Sequence, residues 1–211
     1  MIIIILIELI LLTALILSEK KHPYNNHPHW LKAIIRTVIM LPLIMIVLFN
    51  GMNVYNTIML SAFILIIIAD LTIIKSIIAG MVLFAIIHIG LTINYTILYQ
   101  GYLIDNLQTI IFSASVGVLT YIALFFGKIK PEEQPMIIGY MALLCLEIYR
   151  ALMTAMDDKA VYIILGTFLF YACDIQVIYL EKIKHHKYYQ QINHALYYSG
   201  LVLLAISTGV L

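Results

Sequence analysis

The stretch YNTIMLSAFILIIIADLTII, residues 55 to 74, carries one charge, Asp70, and the next cation along the chain is Lys75. Twenty mainly apolar residues suffice for a helix to cross the ~30 Å hydrocarbon core of a bilayer. The run is too long and too evenly apolar for a half-buried strand or an ordinary amphipathic helix. An ionised Asp within such a segment costs about 2.5 to 3.5 kcal/mol on insertion scales, so Asp70 needs a partner or a task.

Similar runs fill the chain. It has 211 residues, 64% hydrophobic and 11% charged, with a formal net charge of +1. That balance lies outside the range of soluble domains. Nothing in it suggests nucleic acid, because there is no basic excess. Eight spans are expected, near residues 1-17, 33-49, 55-74, 77-98, 107-126, 136-156, 161-180 and 193-211, which gives an all-α bundle of eight transmembrane helices in a single polytopic membrane domain. The first run lacks the cationic start and small-residue cleavage site of a signal peptide and is read as a retained helix. Cys145 and Cys173 both fall within spans, with no spacing that suggests a metal or redox pair.

Charge sets the orientation. Lys20, Lys21, Lys32, Arg36, Lys75, Lys128, Lys130, Lys182, Lys184 and Lys187 all fall in or beside odd-to-even connections, against Lys159 and Arg150 elsewhere. Ten of the twelve cations therefore place those loops in the cytoplasm and both termini outside, in what is expected to be the plasma membrane.

Polar residues inside spans face a bundle interior and are functional candidates by default. Here they are Glu8, Asp70, His88, Asn94, Tyr95, Glu147, Arg150, Asp174, Tyr197 and Tyr198. Asp70 lies five residues before Lys75 and Asp174 eight before Lys182, about 7 and 12 Å of helix, so both acids sit in the cytoplasmic half. His88, Glu147 and Tyr198 come out deeper, near the middle, and the group is expected to line one cavity. Gly80, Phe84 and His88 recur at i, i+4, i+8, and Gly166, Phe170 and Asp174 repeat the pattern, so each polar group shares a stripe with a small residue that lets helices approach. Glu147 and Arg150, at i and i+3, are expected to pair within their own helix. Asp70 and Asp174 are 104 residues apart, which admits a four-plus-four parallel repeat. Glu8 is expected to be a packing contact or to sit at the surface. The histidines of HPYNNHPHW, residues 22 to 30, lack a carboxylate or cysteine to complete a metal site, and no metal or cofactor is expected.

These residues resemble the YhhN family of membrane proteins, which includes the mammalian TMEM86 lysoplasmalogenases. The family pattern has a G-D pair ending a span, G-x-x-x-F-x-x-x-H, then G-A-x-L-F-x-x-S-D and a final Y-Y-x-A-Q. This chain has Ala69-Asp70, GMVLFAIIH from Gly80, GTFLFYACD from Gly166 and YYSGL from Tyr197. It departs at Ala69 for glycine, Cys173 for serine, Leu201 for glutamine, and Leu91 where the family has a tyrosine after the histidine. The resemblance implies hydrolysis of the vinyl ether of a lyso ether phospholipid to a fatty aldehyde and a glycerophospho-alcohol.

That chemistry needs a carboxyl group protonated near neutral pH and a second group that stabilises a cation or activates water. Burial and a neighbouring carboxylate both favour the protonated form, as in glycosidases. Asp70 and Asp174 are the expected catalytic pair. His88, Tyr95, Glu147, Arg150, Tyr197 and Tyr198 are the expected substrate-binding residues, and the lipid is expected to enter laterally. A proton-coupled carrier of small molecules or lipids would use similar acids, and a non-catalytic lipid-binding bundle would use the same helices.

Overall fold

The structure is a computed structural model that describes residues 2–21, 29–98, 110–111, 113–118, 121, 131–132, 134–154, 160–182 and 189–209. Every regular element among them is a helix: α1 (Ile2–Lys21), α2 (His29–Phe49), α3 (Val54–Ile73), α4 (Ile77–Leu98), α5 (113–118), α6 (Gln134–Met153), α7 (Ala160–Lys182) and α8 (Tyr189–Ser207). Most of the expected 107-126 span, the histidines of the 22–28 loop and the His185–His186 pair lie outside the described residues.

Three helices, Val54–Ile73, Ile78–Leu98 and Gln134–Met153, are long and apolar enough to cross a membrane; Ile3–Ile16, Ala33–Phe49 and Val161–Val177 are shorter apolar helices. The surface fits a helical membrane protein. Ile10 is 67% exposed, Ile78 65% and Val161 62%, while Asp70, His88, Glu147, Arg150 and Asp174 are all below 9%. Apolar side chains face out and charges face in, the reverse of a soluble bundle.

Helix ends follow local chemistry. Asn53 caps α3, its side chain accepting from the Asn56 amide at 2.7 Å. The α3–α4 turn closes on Thr72, whose carbonyl accepts from the amides of Lys75 and Ser76 at 2.9 Å each. There Gly80 lies so close to Ile73 that a Cβ would come within 2.7 Å of it, so only glycine permits this turn. At the end of α6 the Thr154 hydroxyl donates to the Ala151 carbonyl at 2.6 Å, and residues 155 and 156 of the expected span lie outside the described residues.

Packing runs in a ring: α1 on α2, α2 on α3, α3 on α4, α4 on α6, α6 on α7, α7 on α8, and α8 back onto α1 and α2. α7 and α8 approach closely where Gly166 and Gly200 face each other and a Cβ on either would meet the other's carbonyl oxygen at 3.0 Å. Gly117 of α5 likewise lies directly on Cys145 of α6. Both cysteines are free.

The two ends of the ring differ. At one, the α2–α3 turn is fastened to the end of α8: Asn50 Nδ2 donates to Thr208 Oγ1 at 3.0 Å, Asn56 Nδ2 to the Thr208 carbonyl at 3.2 Å, and the Tyr55 and Ser207 hydroxyls lie 2.6 Å apart. At the other, where the odd-to-even connections are, a cavity of about 550 Å³ opens.

Candidate active site

The cavity is built from the start of α2, the end of α3, the starts of α4, α6 and α8, and the end of α7. Asp70 and Asp174 both line it. Its mouth carries Ser76, Ile78, Glu132 and Met136, and its walls are largely apolar, with Phe84 from α4 and Ile137 from α6.

Each aspartate has its own set of partners. Arg36 Nη1 bonds Asp70 Oδ1 at 2.9 Å and the Asp70 carbonyl at 3.1 Å, and the Tyr197 hydroxyl donates to Asp70 Oδ2 at 3.0 Å. His88 Nε2 lies 2.7 Å from Asp174 Oδ2, and the Tyr140 hydroxyl donates to the same oxygen at 2.9 Å. On its other side His88 Nδ1 bonds Glu147 Oε2. Among the described residues the two aspartates share no direct hydrogen bond. Each is a separately supported acid on a common cavity.

Aromatic rings fix these groups. The His88 ring lies against Phe170, centroids 4.9 Å apart, and edge-on to Tyr140 at 5.8 Å. Phe84 meets Phe170 at 6.2 Å and Tyr197 at 6.3 Å. The two glycine–aromatic–polar stripes thus face one another across antiparallel α4 and α7, Phe84 against Phe170 and His88 against Asp174.

Several expectations change in detail. Glu147 does not pair with Arg150: its Oε2 goes to His88, 59 residues away, while Glu147 Oε1 and Arg150 Nη1 are buried with no hydrogen-bond partner among the described residues. His88 does not line the cavity but sits behind Asp174, and Glu147, Arg150 and Tyr95 are deeper still or outside its wall; Tyr95 takes a hydrogen bond from Thr167 at 3.1 Å. Tyr197 and Tyr198 do line it. Asn94 serves the scaffold, donating to the Tyr55 carbonyl at 3.1 Å. Glu8 is fully buried, not at the surface, and neither of its oxygens has a hydrogen-bond partner among the described residues.

Sequence reasoning overlooked Tyr140, Asn193 and His194, and misplaced Arg36. Arg36 lies within α2, its side chain 17% exposed, and acts as the counter-ion of Asp70 instead of a loop charge. Its position inside the expected 33-49 span was the signal. Asn193 Nδ2 ties α8 to α7 beside the cavity, reaching the Cys173 carbonyl at 3.2 Å and its sulfur at 3.1 Å.

The order of these residues along the chain matches a known family: the profile of the YhhN family covers residues 31–208. The chain belongs to the YhhN family. All the described cavity-lining residues, and His88 and Glu147 behind them, fall within the YhhN match, whereas α1 lies wholly before it. No curated protein and no solved structure matches the chain.

Proposed function

We propose that this YhhN protein is a lysoplasmalogenase-like hydrolase that cleaves the vinyl ether of a lyso ether phospholipid inside the membrane. The observation that carries the reading is a single cavity lined by two aspartates in different settings, one paired with a guanidinium and one hydrogen-bonded to an imidazole and a phenol. Acid-catalysed hydrolysis of a vinyl ether needs that difference.

In this scheme Asp174 is the general acid. It transfers a proton to the vinyl carbon one bond removed from the ether carbon, giving an oxocarbenium ion. Asp70, held by Arg36 and Tyr197, stabilises the cation and orients the water that adds to it. The hemiacetal then collapses to aldehyde and alcohol, and the proton released by water returns to the carboxylates, so the cycle consumes one water. The step calls on no metal or cofactor. The apolar wall accommodates the chain, which enters laterally past Ile78 and Met136, while the headgroup stays at the basic end. We place that end in the cytoplasm, with eight spans and both termini outside, in the plasma membrane.

The Asn50–Thr208 and Tyr55–Ser207 contacts fasten the opposite end, which favours a one-sided reaction chamber over a carrier. The test is release of free aldehyde from a lysoplasmalogen by the purified protein in detergent. Asp70→Asn and Asp174→Asn are each expected to lower the rate by about 10²- to 10⁴-fold, the usual contribution of a positioned acid or base. A wild type inactive on a range of ether lipids would refute the reading; full activity in both variants would refute the mechanism.

A further inference from the structure

Glu147 has no task in that scheme. Among the described residues it is not one of those that line the cavity. Yet it is the inner end of a continuous chain, Glu147–His88–Asp174, whose outer end is the proposed acid.

Counting hydrogens limits what this chain can be. A neutral imidazole donates from one ring nitrogen and accepts at the other, whereas a carboxylate only accepts. With His88 neutral and both carboxylates ionised, one of its two contacts would set lone pair against lone pair. Both contacts are satisfied only when the trio holds at least two protons. With two protons its net charge is −1, and with three it is zero. The chain can therefore pass one proton without losing either hydrogen bond.

The groups around His88 fit a protected relay. Glu147 and Tyr140 face it from α6, and Asp174 and the Phe170 ring from α7. On α3, packed beside α4, Asp70 is held by Arg36, and Tyr55 by Ser207. His88 and Glu147 are each 1% exposed, so solvent does not compete. Arg150, one turn further along α6, points elsewhere, its guanidinium carbon 5.3 Å from the centre of the Tyr149 ring.

We infer that Glu147 is a positioning residue: by accepting the Nδ1 proton of His88 it aims Nε2 at Asp174 and holds His88 as the proton donor that refills Asp174. This rests on the assignment of Asp174 as the acid. When Asp174 gives its proton to the substrate carbon, the Nε2 proton of His88 moves onto Asp174 Oδ2, leaving a neutral imidazole whose Nδ1–H still points at Glu147. The proton released by the attacking water enters through Asp174 and restores the imidazolium. No electrons are transferred and no other reactant is consumed.

Two measurements on the full-length protein in detergent test this. The first is ring-¹⁵N NMR of histidine-labelled protein, with His88 assigned by the signal missing from His88→Gln. Both ring nitrogens of His88 are expected at hydrogen-bonded shifts, and Glu147→Gln is expected to move Nδ1. The second is kinetic: Glu147→Gln, which keeps the size and an acceptor oxygen but loses the charge, is expected to lower kcat about tenfold or more with KM unchanged and thermal stability retained. A bare ring nitrogen on wild-type His88 would overturn the inference, as would a Glu147→Gln enzyme with normal kcat or one altered in KM alone. The wild-type spectrum decides if Glu147→Gln does not fold. The two measurements also separate the two proposals: an inactive wild type refutes the ether hydrolase, whereas a bare nitrogen refutes the relay.

Discussion

Asp70 and Asp174 are both buried acids, but the chain meets their cost in different ways. Asp70 has a full counter-ion in Arg36, and Asp174 has an imidazole that must share protons with Glu147. Removing one partner of a buried pair typically costs about 3 to 5 kcal/mol, because the other charge is stranded. Arg36→Leu is therefore expected to lower the unfolding temperature in detergent, and Arg36→Leu with Asp70→Asn to recover much of the loss. A double variant no more stable than Arg36→Leu would show that Arg36 does not serve as the counter-ion. At this scale the sequence was partly legible. Acids stand out in an apolar run, so Asp70 and Asp174 could be picked directly. Tyr140 was hidden among 15 tyrosines. The Glu147–Arg150 pair was a plausible local solution that a partner on another helix outcompeted, since spacing along one helix says nothing of what faces it.

Elements were easier to read than contacts. The boundaries of α2, α3 and α4 fall within a few residues of the expected spans, because long apolar runs between short polar breaks leave little choice. Helix partners depend instead on where small residues permit close approach. Gly166→Ala puts a methyl group 2.9 Å from Leu204 and 3.0 Å from the Gly200 carbonyl, so α7 and α8 must part. It is expected to lower thermal stability and, by moving Asp174 against α8, activity too. Gly139→Ala on α6 meets nothing within 4 Å and is expected to be neutral or stabilising by up to ~1 kcal/mol, since alanine restricts the unfolded chain. Equal melting temperatures for the two variants would contradict this account of the α7–α8 contact.

For the whole molecule, the charge asymmetry of the loops and the location of the cavity agree: the cavity opens at the end where ten of the twelve cations are found in sequence. The sequence did not reveal the fastened opposite end, because its hydrogen bonds join residues 152 and 158 positions apart. A carrier would have to break those contacts in each cycle; a hydrolase would not. Asn50→Cys with Thr208→Cys, in a background of Cys145→Ser and Cys173→Ser, is expected to retain aldehyde release after joining by a short thiol–thiol cross-linker. Loss of activity on cross-linking, restored by a cleavable reagent once cut, would favour alternating access.

The separation of the two ion-paired systems along the chain bears on synthesis. Arg36 and Asp70 belong to adjacent helices 34 residues apart, so the α2–α3 hairpin can enter the bilayer with its charges already matched. His88 must wait for Glu147 and Asp174, and Asp70 gains Tyr197 only when α8 arrives. Under the proposed mechanism, a nascent chain halted before α7 would thus hold one neutralised acid and an unfinished relay, and could protonate no substrate before the last helices close the ring.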